Sequence, residues 1–247
     1  MRAVRDLADN LASVVIPAFD EQERIAATVA AAASLPEVDL VVVVDDGSTD
    51  ATADVARDAG AEVVEAGHNA GKAAALELGA ATVASWELVA GVGARPLLLL
   101  DADLQESAAH AGPLLRPVLA GEADMTIATL PAQTTAGGGR GFVVRLARDG
   151  ITAATGRVMA QPLSGQRALT RSALTAARPL AAGFGVEVGL TIDLLRLGFV
   201  VHEIEVDLHH RVTGGDWRAQ RHRARQYWAV WRALRSRGVG PAVPVPR

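Results

Sequence analysis

The chain contains no cysteine. Disulfides, thiolate zinc sites and a cysteine nucleophile are therefore excluded. Lysine is nearly absent: Lys72 stands alone beside 23 arginines. Such a bias points to genome composition, under which most lysines were replaceable. The one that remains opens a glycine-containing turn. Aromatic residues make up only 4% of the chain, yet three of the four tryptophans fall beyond residue 216. Long apolar runs are lacking too. Leu40–Val44 and Pro96–Leu100 are strand-sized, well short of the roughly 20 residues a membrane span requires. Met1–Asn10 carries Arg2, Arg5, Asp6 and Asp9, so it lacks the apolar core of a signal peptide. A cytoplasmic protein is expected, with any membrane contact peripheral and at the inner face.

What is present suffices for a globular core: 247 residues, 50% of them apolar. The net charge of −4 conceals an asymmetry. Arg211–Arg237 holds eight arginines against Asp216, a local charge of +7 that leaves −11 on the remainder. A basic segment on an acidic body suggests a separate job for that segment.

Strand and helix signals alternate through the first half. Ser13–Pro17, Leu40–Val44, Glu62–Glu65, Pro96–Leu100 and Met125–Thr129 read as strands. Glu21–Ser34, Asp50–Ala59 and Lys72 to about Val89 read as helices. This alternation predicts an α/β fold with a parallel, doubly wound sheet, whose ligands bind beyond the carboxyl ends of the strands. The second half is less regular. Pro131–Gly141 is loop-like, Ser164–Leu169 and Phe199–Leu208 suggest strands, and Val186–Arg196 and Asp216–Arg235 suggest helices. The boundaries expected are a catalytic domain over 1–215, a basic amphipathic helix over 216–237 and a proline-containing tail over 238–247.

The polar punctuation falls at strand ends. Asp101-Ala102-Asp103 follows Leu97–Leu100. One carboxylate can reach a ribose or a water, while the other ligates a hard cation that neutralises a diphosphate. Asp-x-Asp is a common tripeptide and is weak alone. Asp45-Asp46-Gly47-Ser48-Thr49-Asp50 follows Val41–Val44. A tight turn and a helix cap explain its later residues but not two acids ending an apolar strand. Asn69-Ala70-Gly71-Lys72 opens a helix and suits a phosphate. It is not a P-loop, because Ala73 replaces the required hydroxyl residue. Gly137-Gly138-Gly139-Arg140-Gly141 is either an anion-binding turn or a flexible loop. Gly183-Phe184-Gly185-Val186-Glu187 sets a carboxylate in a helix's first turn, as a base or simply as a partner of the helix dipole. His209-His210-Arg211 ends the last strand, where an imidazole can ligate a metal.

In this order the segments resemble the family 2-like glycosyltransferases of the GT-A fold, over roughly residues 12–215. The signatures are Val14–Glu21, Val42–Asp50, Asn69–Lys72 and Leu100–Leu104. The second half resembles glucosyl-3-phosphoglycerate synthases through Gly137–Arg140, Gln161–Gly165, Gly183–Leu190 and His210-Arg211. The first half is equally similar to polyprenyl-phosphate sugar transferases. The resemblance implies a hexosyltransferase with a mostly parallel central sheet, a UDP- or GDP-sugar donor and Mg²⁺ or Mn²⁺. It implies that Pro17, Ala18, Phe19, Glu21 and Asp46 hold the nucleoside, and that Lys72, Asp101 and Ala102 continue the donor pocket. Asp103 and His210 would ligate the metal. Glu187 would contact the transferred sugar near Phe184, which makes Glu187, Asp103 and Lys72 the expected catalytic set. Arg140, with Gly139 and Arg211, would face an acceptor that is either a phosphorylated small molecule or a polyprenyl phosphate. There are departures: Phe142 stands where phosphoglycerate enzymes carry a hydroxyl residue, and Asp20 replaces the usual asparagine.

Two other readings are weaker. A nucleotidyltransferase needs a glycine-rich basic loop after the first strand, whereas Ala18-Phe19-Asp20-Glu21 has no glycine and two acids. A non-catalytic module would have no need of Asp101, Asp103 and Glu187 together. The basic helix, with Trp217, Trp228 and Trp231 near one face, suits either docking on the body or a membrane surface. Nucleic acid is not expected, since the acidic remainder repels it. A homodimer is left open.

Overall fold

The computed structural model describes residues 11–130, 141–209 and 217–240, with side chains in the last segment from Arg225 onward. Seven strands form one sheet in the order β3-β2-β1-β4-β6-β5-β7. They are β1 (Ala12–Ala18), β2 (Val38–Asp45), β3 (Glu62–Glu65), β4 (Leu97–Leu99), β5 (Met125–Thr129), β6 (Arg167–Leu169) and β7 (Val201–Glu205). The helices are α1 (Ile25–Ala33), α2 (Thr52–Asp58), α3 (Lys72–Ala90), α4 (Gly112–Leu119), α5 (Phe142–Thr155), α6 (Arg171–Ala176), α7 (Val186–Arg196) and α8 (Trp217–Ser236).

The sheet is mixed rather than wholly parallel. β1, β2, β3 and β4 are parallel neighbours, as are β5 and β7, while β6 runs antiparallel to both β4 and β5. The period-2 pattern of the strands explains the layering. β1 and β2 send Val15, Val42 and Val44 into one core, shared with α3, α5, α7 and α8. Val14, Ile16, Val41 and Val43 enter the other, under α1 and α4. The apolar valine run of β2 is buried on both faces, as a parallel interior strand requires.

α3 packs close. A Cβ on Gly79 would stand 2.4 Å from Val15 Cγ1 and 3.0 Å from Val44 Cγ2. Among the described residues α3 is the one helix long and apolar enough to cross a membrane, with mean hydropathy 1.3. That amends the expectation of strand-sized runs only. Its buried face, through Ala75, Leu76, Ala80 and Val83, belongs to the core.

α8 docks on the body through its second half. Val230, Ala233 and Leu234 are buried. Leu234 fills the space above Gly150 of α5, where a Cβ would come within 2.4 Å of it. Arg237 Nε donates to Asp193 of α7 at 2.7 Å.

Candidate active site

The acidic strand ends converge as the topology rule predicts. β1, β2 and β4 end side by side, and the turn Asp101-Ala102-Asp103 follows β4. Lys72, the first residue of α3, reaches across to them. Its Nζ lies 2.7 Å from Asp101 Oδ1 and 3.0 Å from Glu187 Oε1. Glu187 is 7% exposed, in the first turn of α7. Burial alone would lower the Lys72 pKa, but Asp101 and then Glu187 outweigh it and hold the ammonium above its ordinary value of 10.5.

Two neighbours complete this cluster: Gln166, which no motif singled out, and Gly165, which closes the Gln161–Gly165 motif and had no role assigned to it. Gln166 Nε2 donates to Asp101 Oδ2 at 2.6 Å, so both oxygens of Asp101 are engaged. Gly165 presses its backbone onto the pair: a Cβ there would lie 2.5 Å from Lys72 Nζ and 2.9 Å from each Asp101 oxygen. Arg167, fully buried, secures this stretch to α7. It donates from Nε to Ser164 O at 2.9 Å and from Nη1 to Thr191 Oγ1 at 2.9 Å. Burial pushes its pKa down to about 10, against the opposing pull of Glu187 and Glu203, so it stays charged at neutral pH.

The loops around the cluster are tied to one another. Asp46 accepts from the backbone N–H of Ala70 and of Gly71, each at 2.8 Å. A carboxylate just beyond β2 thereby positions the turn that presents Lys72. Asp20, in left-handed backbone with φ 55°, accepts from Thr49 N–H at 2.8 Å, and its own N–H donates to Ser48 at 3.0 Å. The two acidic loops after β1 and β2 are thus interleaved, with Asp45 accepting from Ser48 N–H at 2.9 Å.

Thr28, wholly buried in α1, secures the turn after β4. Its hydroxyl donates to Ala102 O at 2.8 Å and accepts from Gln105 N–H at 2.8 Å. Gln105 has φ 51°, a conformation that a non-glycine residue holds only when its surroundings fix it. Thr28→Val keeps the shape but leaves the carbonyl and amide without this partner. It is expected to lower stability by about 1–3 kcal/mol, read from urea denaturation, whereas Thr28→Ser keeps both hydrogen bonds and loses only the buried methyl, about 1 kcal/mol. Ser107 continues the tie. Its hydroxyl donates to Leu104 O at 2.6 Å and accepts from His209 N–H at 3.1 Å. The segment just before His210 therefore lies on the Asp101–Leu104 turn. His210, Arg211, Gly139 and Arg140 themselves lie outside the described residues.

A cavity of about 370 Å³ opens over the cluster. Pro17, Phe19 and Glu21 form one side, Lys72, Asp101, Ala102, Asp103 and Glu187 the floor, and Val143, Leu163, Phe184, Gln226 and Val230 the rest. Of the residues expected for a nucleoside, Ala18 and Asp46 do not line it. Ala18 is buried and its carbonyl accepts from Asp46 N–H at 2.8 Å. Glu21 pairs with Arg24 Nε at 2.6 Å. The Arg24 pKa is raised by the hydrogen bond to Glu21 first, and by Asp103 among the more distant charges.

Residues 13–145 match the sequence profile of Glycosyl transferase family 2. The chain belongs to this family. The glucosyl-3-phosphoglycerate synthase of Mycobacterium tuberculosis is 33% identical over 210 residues, covering 75% of this chain and 61% of that protein. The chain spans about 60% of the length of the curated relatives it matches. The crystal structure of that synthase with Mn²⁺, UDP and glucosyl-3-phosphoglycerate superposes with a TM-score of 0.74 at 29% identity, over 95% of this chain and 82% of that one. Its complex with Mg²⁺ and UDP gives 0.73 at 30% identity over the same shares. The mixed, mostly parallel seven-stranded sheet flanked by helices is the fold of those structures.

Those complexes contain a divalent metal. Among the described residues of this chain, no group of three or more His, Asp or Glu side chains could hold one. The donor chemistry nevertheless suits Mg²⁺ or Mn²⁺ bound jointly with a ligand. Such hard ions take one or two carboxylates and complete their shell with phosphate oxygens and water. Asp103 offers an oxygen donor in the cavity, two residues from the Asp101 that Lys72 and Gln166 engage.

Proposed function

We propose that the chain transfers a sugar from a UDP-sugar to a phosphorylated small molecule, with Mg²⁺ or Mn²⁺ bound alongside the donor. The observation that carries this is Lys72, held between Asp101 and Glu187 on the floor of a cavity at the carboxyl edge of the sheet. A family 2 fold supports the reaction class. Relatives crystallised with UDP, a divalent metal and a phosphoglyceryl product support the donor and acceptor classes.

Pro17, Phe19 and Glu21 contribute the nucleoside side of the cavity, backed by Ala18, while Asp46 acts by positioning the Lys72 turn. Asp101 and Ala102 continue the donor site. Lys72 offsets the negative charge that grows on a departing diphosphate. Asp103, with His210, would hold the metal, whose chemistry is to neutralise that diphosphate. Glu187 contacts the transferred sugar. In a retaining reaction it orients the sugar without acting as a base, whereas in an inverting reaction it is the base. Arg140, Gly139 and Arg211 supply the cation and close backbone approach that a phosphorylated acceptor needs.

The test is a panel of UDP- and GDP-sugars with Mn²⁺ or Mg²⁺, scored for binding and slow hydrolysis. A UDP-sugar is expected to bind, with loss of binding on chelation. Asp103→Ala is expected to weaken metal-dependent donor binding by about 10²–10³-fold, in line with the several kcal/mol a metal supplies. Wild-type binding that ignores the chelator would refute the metal assignment. A preference for GDP-sugars would refute the base.

A further inference from the structure

The outward face of α8 has a character of its own. Arg225, Trp228, Arg232 and Arg235 recur at spacings of three and four, and all four are exposed. They form one stripe about 15 Å long at 1.5 Å per residue. Trp228 is 57% exposed. The opposite face, with Val230, Ala233 and Leu234, is already used against the body. From Trp217 to Arg237 the sequence holds no acidic residue.

The stripe belongs to a connected row of rings. Phe142, which opens α5 and is 69% exposed, lies 5.7 Å from Tyr227, centroid to centroid. Tyr227 and Trp228 are 6.3 Å apart, and Trp228 and Trp231 5.4 Å apart. A guanidinium covers each end: Arg145 is 5.9 Å from the Phe142 ring and Arg235 5.3 Å from that of Trp231. The row starts at the cavity's rim, because Val143 and Gln226, the chain neighbours of Phe142 and Tyr227, line it.

We propose that this strip seats the protein on an anionic phospholipid surface, with the cavity rim at the contact. Exposed arginines without interleaved acids are complementary to anionic headgroups. Exposed tryptophan and phenylalanine beside them suit the boundary between headgroup and acyl chain, where an apolar ring and a polar surrounding are satisfied together. The acidic remainder of the chain, at −11, confines any approach to this basic strip and so orients the molecule.

The test is co-sedimentation of the full chain with vesicles of phosphatidylglycerol and phosphatidylcholine, against phosphatidylcholine alone. Binding to the anionic vesicles is expected to be at least about tenfold stronger and to fall with added salt. Changing Arg225, Arg232 and Arg235 to Gln should weaken it by about fivefold per arginine. Trp228→Ala should weaken it further and reduce the quenching of tryptophan fluorescence by brominated lipid. All these side chains are exposed, so wild-type melting and vesicle-free UDP binding serve as controls that also separate this proposal from the donor assignment. Equal binding to neutral vesicles, no binding, or unchanged binding by the triple variant would overturn it. So would pelleting explained by self-association, or a preference for duplex DNA over vesicles.

Discussion

Lys72→Met is expected to lower turnover of the sugar donor by about 10²–10³-fold, the magnitude seen when one pre-positioned electrostatic group is removed. The geometry makes the loss larger than that of a surface lysine. Nζ stands 2.7 Å from Asp101 and 3.0 Å from Glu187, so removing it leaves two carboxylates without their shared cation. An anionic donor then meets uncompensated negative charge. The pH dependence follows from the sign of the shift. The folded pKa of Lys72 is raised above 10.5, so its contribution to stability is complete below that ordinary value. It is lost only as pH rises through the higher folded value. Wild-type donor binding should therefore show no Lys72 titration across neutral and mildly alkaline pH. Lys72→Arg is not expected to rescue turnover, since the Gly165 backbone leaves no room for a broader guanidinium. Steady-state donor hydrolysis and a pH–affinity profile check each point. Near-wild-type turnover in Lys72→Met would remove the basis of the site.

The parts of this site legible in the sequence are those whose signal is local. β-branched runs end in acids, and a lone lysine opens a helix. Topology then had only to align β1, β2 and β4, which parallel pairing does. The strands of the first half fall where alternation predicts them. The second half is less legible for identifiable reasons. β6 falls inside the expected strand Ser164–Leu169, but it runs against its neighbours, a direction that no local pattern encodes. α5 carries Gly150, which admits Leu234, and even before the midpoint α4 contains Pro113 and Pro117, which mask its helical pattern. Gln166 and Thr28 act across 65 and 74 positions of sequence, so no local pattern could reveal them. Asp46 shows a role that its position alone did not suggest. Its acidity at a strand end suggested a ligand contact, and the structure adds that both of its oxygens accept from the Lys72 turn. Here the strand end positions another residue of the site.

Gly165→Ala is the sharpest test of that positioning, and it should separate function from folding. The atoms an added Cβ would meet are Lys72 Nζ at 2.5 Å and the two Asp101 oxygens at 2.9 Å. These are the tips of side chains, which can swing aside without moving the backbone. Stability should therefore stay within about 1 kcal/mol of wild type, as for substitutions that spare the core. The same displacement breaks the Lys72–Asp101 contact on the cavity floor. A misplacement of about 1 Å in a pre-organised site can cost about 10²-fold, and a loss of that order in donor turnover is expected. Gly79→Ala is the control with the opposite signature. Its Cβ would lie 2.4 Å from Val15 Cγ1 inside the core, where overpacking costs about 1–3 kcal/mol. Thermal melting and donor hydrolysis, measured on both variants, distinguish the two. If Gly165→Ala instead melts early and keeps its turnover, the close approach of its backbone to Lys72 and Asp101 serves packing rather than the reaction.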